Sequence, residues 1–277
     1  MGNPMADNIA KAGFSPLCFD SAGTIERTPE KARPATSLAD VAHQADTIFL
    51  SLPNGPIVQS VIEQIIDSPD RRTSVIIDLS TTGPKAARTA AATSNKAGIE
   101  FVDAPVSGGR SGAIAATVTL IWAGSKAQLD RHRDIIDAFC GNPFHVGEKP
   151  GQGQALKLLN NFLSATAMAA TSEAILFGLA HGLDMKTMLD VVNVSTGQNT
   201  ATRDKFPQRV LTGTYDAGFF AEHLNKDVQL YINEVHDAAT PSNVGDTVSE
   251  IWQSGTDSFA PGTDFTRIFE YIGQRKT

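Results

Sequence analysis

Two short runs fix the fold class more firmly than any other feature: TIFLSL at residues 47–52 and SVIIDL at residues 74–79. Both are nearly continuous apolar stretches without polar alternation. Strands of that kind are buried on both faces, as in a parallel sheet. Ser15–Phe19, Glu100–Ala104 and Val118–Ala123 are further strand candidates. Helical patterns occupy Met1–Ala12, Leu38–Gln44, Gly55–Ile66, Pro84–Ala97 and Lys126–Phe139. This rhythm predicts a doubly wound α/β domain over residues 1–150. Between Glu100 and Ala123 two strand-like runs flank the turn SGGRSG, which predicts a hairpin-like or mixed edge after the parallel core.

Beyond GEKPGQGQ the β signal fades. A long helical pattern runs from Gln154 to His181, with Gly182 placed as its C-terminal cap. Further helices are expected at Met185–Val194, Thr202–Leu211, Leu224–Ala239, Asn243–Ser254 and Phe265–Arg275. Residues 151–277 should therefore form an all-helical domain that binds substrate and dimerises. Phe162–Gly182 is the most lipid-like stretch, but Glu173 near its middle would cost roughly 2.5–3.5 kcal/mol in a bilayer. A buried helix of a soluble protein is expected, with no membrane partner.

The formal net charge of -7 over 277 residues argues against a nucleic-acid partner, which would call for a basic face. Arg131, His132 and Arg133 sit among Asp130, Asp134 and Asp137 and read as a solvated helix face. Cys18 and Cys140 do not make a secreted disulfide framework, and no basic segment with an apolar run opens the chain. Free thiols in a reducing, cytoplasmic setting are expected. The six histidines show no ligand spacing, so no metal is expected.

A Rossmann-type dinucleotide fold opens with a strand, then G-x-G-x-x-G, then a helix whose N–H groups meet the pyrophosphate. This chain opens with the helix MGNPMADNIAKAGF, and Met1 and Gly2 match the last two fingerprint positions. The expectation is that the first, central strand and the first two glycines are missing, with a native start about ten residues earlier. Asp20, after the strand candidate at residues 15–19, stands where a second strand carries the acidic ligand of the ribose.

In GQGQALKLLNNFL, residues 151–163, Lys157 and Asn161 are four apart and share a helix face. Hydride transfer at a carbon bearing oxygen needs a proton moved at that oxygen. A lysine can move it if burial or a nearby cation lowers its pKa from about 10.4 toward about 7–8. The pattern equally fits a surface lysine with capping asparagines. In DAPVSGG, residues 103–109, Ser107, Gly108 and Gly109 offer a hydroxyl and exposed N–H groups suited to a carboxylate. A plain glycine turn fits as well. Arg110 after it could meet a second acidic group of a substrate or point to solvent.

Together these motifs carry a resemblance to the β-hydroxyacid dehydrogenase family, which includes 3-hydroxyisobutyrate dehydrogenase and tartronate semialdehyde reductase. GNPMADNIAKAG, SLPNGPIV, DLSTTGP, FVDAPVSGG, GQGQALKLLNNFL, LNKDVQL and PGTDFTRIF follow in the family's order. The resemblance implies Lys157 as acid–base and Asn161 as the residue that orients the substrate. It implies Ser107, Gly108 and Gly109 at the substrate carboxylate. Gly2, Asp20, Leu52, Pro53, Asn54 and Thr81 would contact the cofactor, joined by Lys226, which Asp227 holds, and by Phe265. Asp20 followed by Ser21 and Ala22 favours NAD, with NADP possible. The family's G-T-L reads Ala116, Thr117, Val118 here, and the helix between Asp20 and Ser37 should be reduced.

The leading expectation is an NAD(P)-dependent dehydrogenase interconverting a small 3-hydroxy acid and its semialdehyde. Alternatives are a reductase of glyoxylate, succinic semialdehyde or tartronate semialdehyde, and an inactive homologue serving as a binding or oligomerisation module. The apolar surface of the long helix points to a dimer interface, and the resemblance implies a homodimer or homotetramer.

Overall fold

The chain alternates helix and strand where the apolar runs require it. In order come α1 (Gly2–Lys11), β1 (Leu17–Cys18), α2 (Thr24–Arg27), β2 (Arg33–Pro34), α3 (Leu38–Gln44), β3 (Thr47–Leu50), α4 (Gly55–Ile66), β4 (Val75–Asp78), α5 (Pro84–Lys96) and β5 (Glu100–Asp103). β6 (Val106–Ser107), α6 (Gly109–Ile114), β7 (Val118–Ala123), α7 (Lys126–Arg131), α8 (Arg133–Phe139) and β8 (Cys140–Gly147) follow, and then α9 (Gln152–Ala180). This computed structural model describes residues 1–274. The chain divides into two compact units, Met1–Lys157 and Leu158–Thr277.

In the first unit β3, β4 and β5 are parallel, with Leu50 opposite Asp78 and Asp78 opposite Asp103. β7 joins β5 antiparallel, β6 joins β7 antiparallel, and β8 runs parallel to β7. The mixed edge expected after residue 100 is therefore present. β8 was not foreseen, because CGNPFHVG is largely exposed and carries little apolar signal. All four residues of β4 are buried. Val75 and Ile77 face one layer with Met5, Val102, Trp122 and Phe139, while Ile76 faces the other with Ile48, Ile62, Ile65 and Phe101. A sheet covered on both faces is the doubly wound arrangement. At about 25 cal/mol per Å² of apolar area, these layers are the main stabilising term of the unit.

β1 and β2 form a separate parallel pair. Leu17 packs in the same apolar layer as Ile48 and Leu50, and among the described residues no strand pairs with the outer edge of β3. The helix after Asp20 is reduced, as expected, to the four residues of α2. The basic cluster at 131–133 is solvated only in part. Burial of His132 corrects that reading: Nε2 lies 2.9 Å from Thr47 Oγ1 and Nδ1 2.8 Å from Gln128 O.

The second unit is helical: the body of α9, α10 (Met185–Val192), a π-helix at Ala201–Val210, α11 (Ala221–Asp237), α12 (Asn243–Asp257), a 3₁₀ turn at Phe265–Arg267 and α13 (Ile268–Gln274). Gly182 ends the long helix at φ +78°, a conformation that glycine adopts freely. The α-helix expected over Thr202–Leu211 winds instead as a π-helix. Pro207 lies inside it, has no N–H and would crowd an α-helical carbonyl; the wider winding closes with Leu211 N donating to Phe206 O at 2.8 Å. The helix expected over Phe265–Arg275 breaks at Asp264–Arg267, where Asp264 caps Thr266; Arg275 lies outside the described residues. Trp252 and Phe206 are fully buried at the centre, and Trp252 Nε1 donates to Ala165 O at 3.2 Å. α9 is long and apolar enough to cross a membrane by length and composition alone. Its buried residues include the polar Thr171 and Ser172 alongside Ala165 and Met168.

Asp78 and Asp103 are neighbours on adjacent strands and both are fully buried. Burial raises Asp78 from 3.8 to about 7 and Asp103 from 3.8 to about 6. With the folded pKa above the unfolded one, the folded state binds more protons in that window. The stability contribution is then greatest below pH 4 and is lost as pH rises, toward about 7 for Asp78 and about 6 for Asp103, at roughly 1.4 kcal/mol per unit for each group. Asp78→Asn should gain on the wild type by that slope between pH 4.5 and 7, measured by urea unfolding. A difference that does not change with pH would mean that Asp78 ionises in the ordinary carboxylate range.

Candidate active site

Open parallel sheets bind nucleotides beyond the carboxyl ends of their strands, where helix N-termini converge. Here the turn after β3 leads into α4, and the turn after β4 leads into α5. Ser80 Oγ accepts from Leu52 N at 2.8 Å, which ties these two turns together. Asn54 caps α4, its Oδ1 accepting from Ile57 N at 3.1 Å, so this side-chain oxygen is already engaged. Pro53 precedes it, and Thr81 is half-buried in the second turn. Gly2 opens α1, and a Cβ there would lie 3.4 Å from Ser51 Cβ, so the first turn of α1 sits against the end of β3. The first turns of α1, α4 and α5 carry no acidic residue. Three helix starts without a carboxylate suit a dinucleotide pyrophosphate.

Asp20 follows β1, as the sequence suggested. Its Oδ1 accepts from Ala22 N at 2.9 Å, and its Oδ2 lies 3.4 Å from Arg27 Nη1. Arg27 is the residue that sequence reasoning missed. The four-residue α2 brings it back beside Asp20; the reduced helix was expected from the sequence, but not the contact that it makes.

Past β5, Ser107 pairs with Thr119 of β7, and Gly108 and Gly109 turn into α6. Gly108 has φ +130°, and a Cβ there would lie 3.3 Å from Val118 Cα. The turn needs glycine for both reasons. At the end of the same strand, Asp103 Oδ2 accepts from Gly151 N at 2.9 Å and from Gln154 N at 3.1 Å. It thereby caps α9, the helix that carries Lys157. A Cβ on Gly153 would lie 2.8 Å from Ile121 O and 2.9 Å from Asp103 O, so the start of α9 is seated directly on the strand ends.

Lys157 is buried, at 8% exposure, one turn before the equally buried Asn161. The surface-lysine reading is thus set aside. In the helical unit Asn161 Nδ2 donates to Asp227 Oδ2 at 2.6 Å, and Lys226 Nζ donates to Asp227 Oδ1 at 2.7 Å. Asn160 Nδ2 reaches Asn161 Oδ1 at 3.1 Å. One buried carboxylate therefore fixes both the amide and the second lysine, a sharper role for Asp227 than the sequence suggested. Phe265, expected to contact the cofactor, is instead a core residue. Its ring is 4% exposed and packs in the core, 6.1 Å from Phe219 and 6.3 Å from Trp252.

Residues 1–147 match the family described as the NAD binding domain of 6-phosphogluconate dehydrogenase. Residues 151–272 match the one described as NAD-binding of NADP-dependent 3-hydroxyisobutyrate dehydrogenase. The first match begins at residue 1 and gives no support to the expectation of a lost start. The 2-(hydroxymethyl)glutarate dehydrogenase of Eubacterium barkeri is 31% identical, over 92% of this chain and 86% of that protein. The mitochondrial 3-hydroxyisobutyrate dehydrogenase of Rattus norvegicus is 30% identical, over 100% of this chain and 85% of that protein. The solved structure of Mycobacterium tuberculosis 3-hydroxyisobutyrate dehydrogenase with L-serine superposes with a TM-score of 0.89 at 27% identity, covering 98% of this chain and 95% of that one. With strand ends built for a dinucleotide and both halves matched in order, the chain belongs to the 3-hydroxyisobutyrate dehydrogenase (β-hydroxyacid dehydrogenase) family of NAD(P)-dependent enzymes.

Proposed function

We propose that this enzyme interconverts a small 3-hydroxy acid and its semialdehyde, with Lys157 as the acid–base. The observation that carries this reading is a lysine buried on one face of α9 with Asn161 one turn away. NAD, when bound, accepts the hydride in oxidation and returns it in reduction. Lys157 Nζ takes the proton from the substrate hydroxyl as the carbonyl forms, and gives it back in the reverse direction. Asn161, immobilised by Asp227, orients the substrate oxygen. The hydroxyl of Ser107 and the N–H groups at Gly108 and Gly109 receive the carboxylate. L-serine, present with the Mycobacterium tuberculosis relative, is itself a 3-hydroxy acid and supports this substrate class. Glyoxylate, succinic semialdehyde and tartronate semialdehyde would use the same residues in the reductive direction. Replacing Lys157 with Met should lower kcat by roughly 10²–10⁴-fold. NADH affinity, followed by fluorescence titration, should stay within threefold. Full activity in K157M would remove the lysine from the chemistry.

Asp20 supports NAD over NADP, since its carboxylate suits ribose hydroxyls and repels a 2′-phosphate. Leu52, Pro53, Asn54 and Thr81 are assigned to the same cofactor, with Gly2 at the pyrophosphate and Lys226 joining them on the resemblance alone. Arg27 beside Asp20 is the group that a 2′-phosphate would recruit. Asp20→Ala should therefore shift the kcat/KM ratio toward NADP by at least tenfold. A wild type that already prefers NADP would assign the dominant role to Arg27.

Leu156, Leu159 and Leu163 are exposed on α9 at 39%, 46% and 58%. This stripe supports a homodimer or homotetramer. Sedimentation should show an oligomer that Leu163→Glu weakens; a monomeric wild type would overturn the assignment. The free thiols of Cys18 and Cys140 support a reducing, cytoplasmic setting.

A further inference from the structure

We infer that Gln154 is a positioning residue: its buried carboxamide fastens the 80–83 turn and the end of β5 to the first turn of α9, and so sets where Lys157 stands. The inference rests on Lys157 being the acid–base. Gln154 is completely buried. Its Nε2 donates to Ser80 O at 2.9 Å and to Asp103 Oδ1 at 2.9 Å. Its Oε1 accepts from Thr82 N at 2.8 Å and from Gly83 N at 3.1 Å. A carboxamide has two N–H donors and an oxygen with two lone pairs. All four are used here, three on the 80–83 turn and one at the end of β5.

The geometry leads toward the chemistry. Gln154 is three residues before Lys157, so the two lie on neighbouring faces of one helical turn. The turn it holds contains Thr81 and is tied through Ser80 Oγ to Leu52. The carboxylate it meets is the one that caps α9 through Gly151 N and Gln154 N. A single side chain thus joins the turns assigned to the cofactor to the helix assigned to proton transfer. Apolar side chains of similar length would fill the space but leave the donors of Thr82 and Gly83 and the acceptors of Ser80 and Asp103 unmatched. The helix start would then be free to shift, and displacement of a reacting group by about 1 Å costs on the order of 10²-fold in rate.

The test is a double-variant cycle on the full chain, with L-serine and 3-hydroxyisobutyrate as probe substrates. Gln154→Met should lower kcat by about 10²-fold while KM and NADH affinity move less than threefold. Because Gln154 acts through Lys157, the double variant Q154M/K157M should be no slower than K157M alone. Additive losses would overturn the inference, as would a Q154M protein that melts lower but keeps its kcat well below the melting point. If Q154M does not fold, Gln154→Glu keeps the shape. Ionised beside Asp103, with Asp78 opposite Asp103 on the adjacent strand, Arg88 against Gly151 and Lys157 one turn along α9, it should be slow at pH 8. It should recover as pH falls and the added carboxyl regains a proton. A Q154E enzyme as fast as wild type at pH 8 would sink the inference. Should K157M prove fully active, it is the acid–base assignment that fails, and the Gln154 variants would then report on the cofactor turns alone.

Discussion

The buried carboxylate of Asp103 is the interaction on which the arrangement of α9 depends. A helix start leaves N–H groups without partners, and a carboxylate placed there satisfies them and complements the helix dipole. Asp103 does this from the last position of a central strand, taking Gly151 N and Gln154 N on one oxygen. The strand is held on both sides by β4 and β7, so the anchor does not drift. The absence of a side chain on Gly153 then lets the helix backbone approach the carbonyls of Ile121 and Asp103. The height at which Lys157 emerges is fixed by these contacts and by the 1.5 Å rise per residue of an α-helix.

How much of this was legible in the sequence depended on the range of the determining contact. β3 and β4 could be read because burial on both faces leaves a continuous apolar run. α9 could be read because its pattern is long and ends at Gly182. β8 could not, since a half-exposed strand held by backbone pairing to β7 writes little into its own side chains. The π-winding at residues 201–210 turns on Pro207 and on the Asn199 cap, whose Oδ1 takes Ala201 N and Thr202 N. A periodicity argument sees a helix there but not its pitch.

The same rule separates the site residues. Lys157 and Asn161 are four apart on one helix, so local spacing exposes that pair, whereas Lys226 and Asp227 were singled out by the resemblance alone. That Asp227 also grips Asn161 is a contact across 66 positions, which no local pattern carries. Arg27 meets Asp20 across the one-turn α2, and Phe265 lies in the core at the start of the 3₁₀ turn, 6.3 Å from Trp252. Packing decides what each side chain touches.

The pairing of Asp78 with Asp103 shows how the fold chooses one anion. Two buried carboxyls side by side cannot both ionise without strong repulsion. Their surroundings differ in a way set by chain order. Asp78 leads into the 80–83 turn, where Ser80 N donates to Oδ1 and the Ser80 hydroxyl also favours its charged form, while Oδ2 has no hydrogen-bond partner among the described residues. Asp103 lies under a helix start and accepts from Gly151 N, Gln154 N and Gln154 Nε2. Donors stabilise the charged form, so the charge settles on Asp103 and the proton on Asp78. The anion is thereby placed where it orders the helix bearing Lys157, and the strand beside it carries a neutral acid that does not compete. The backbone N–H groups at a helix start and the Gln154 amide make that choice, so the first turn of α9 and the carboxylate beneath it fix each other.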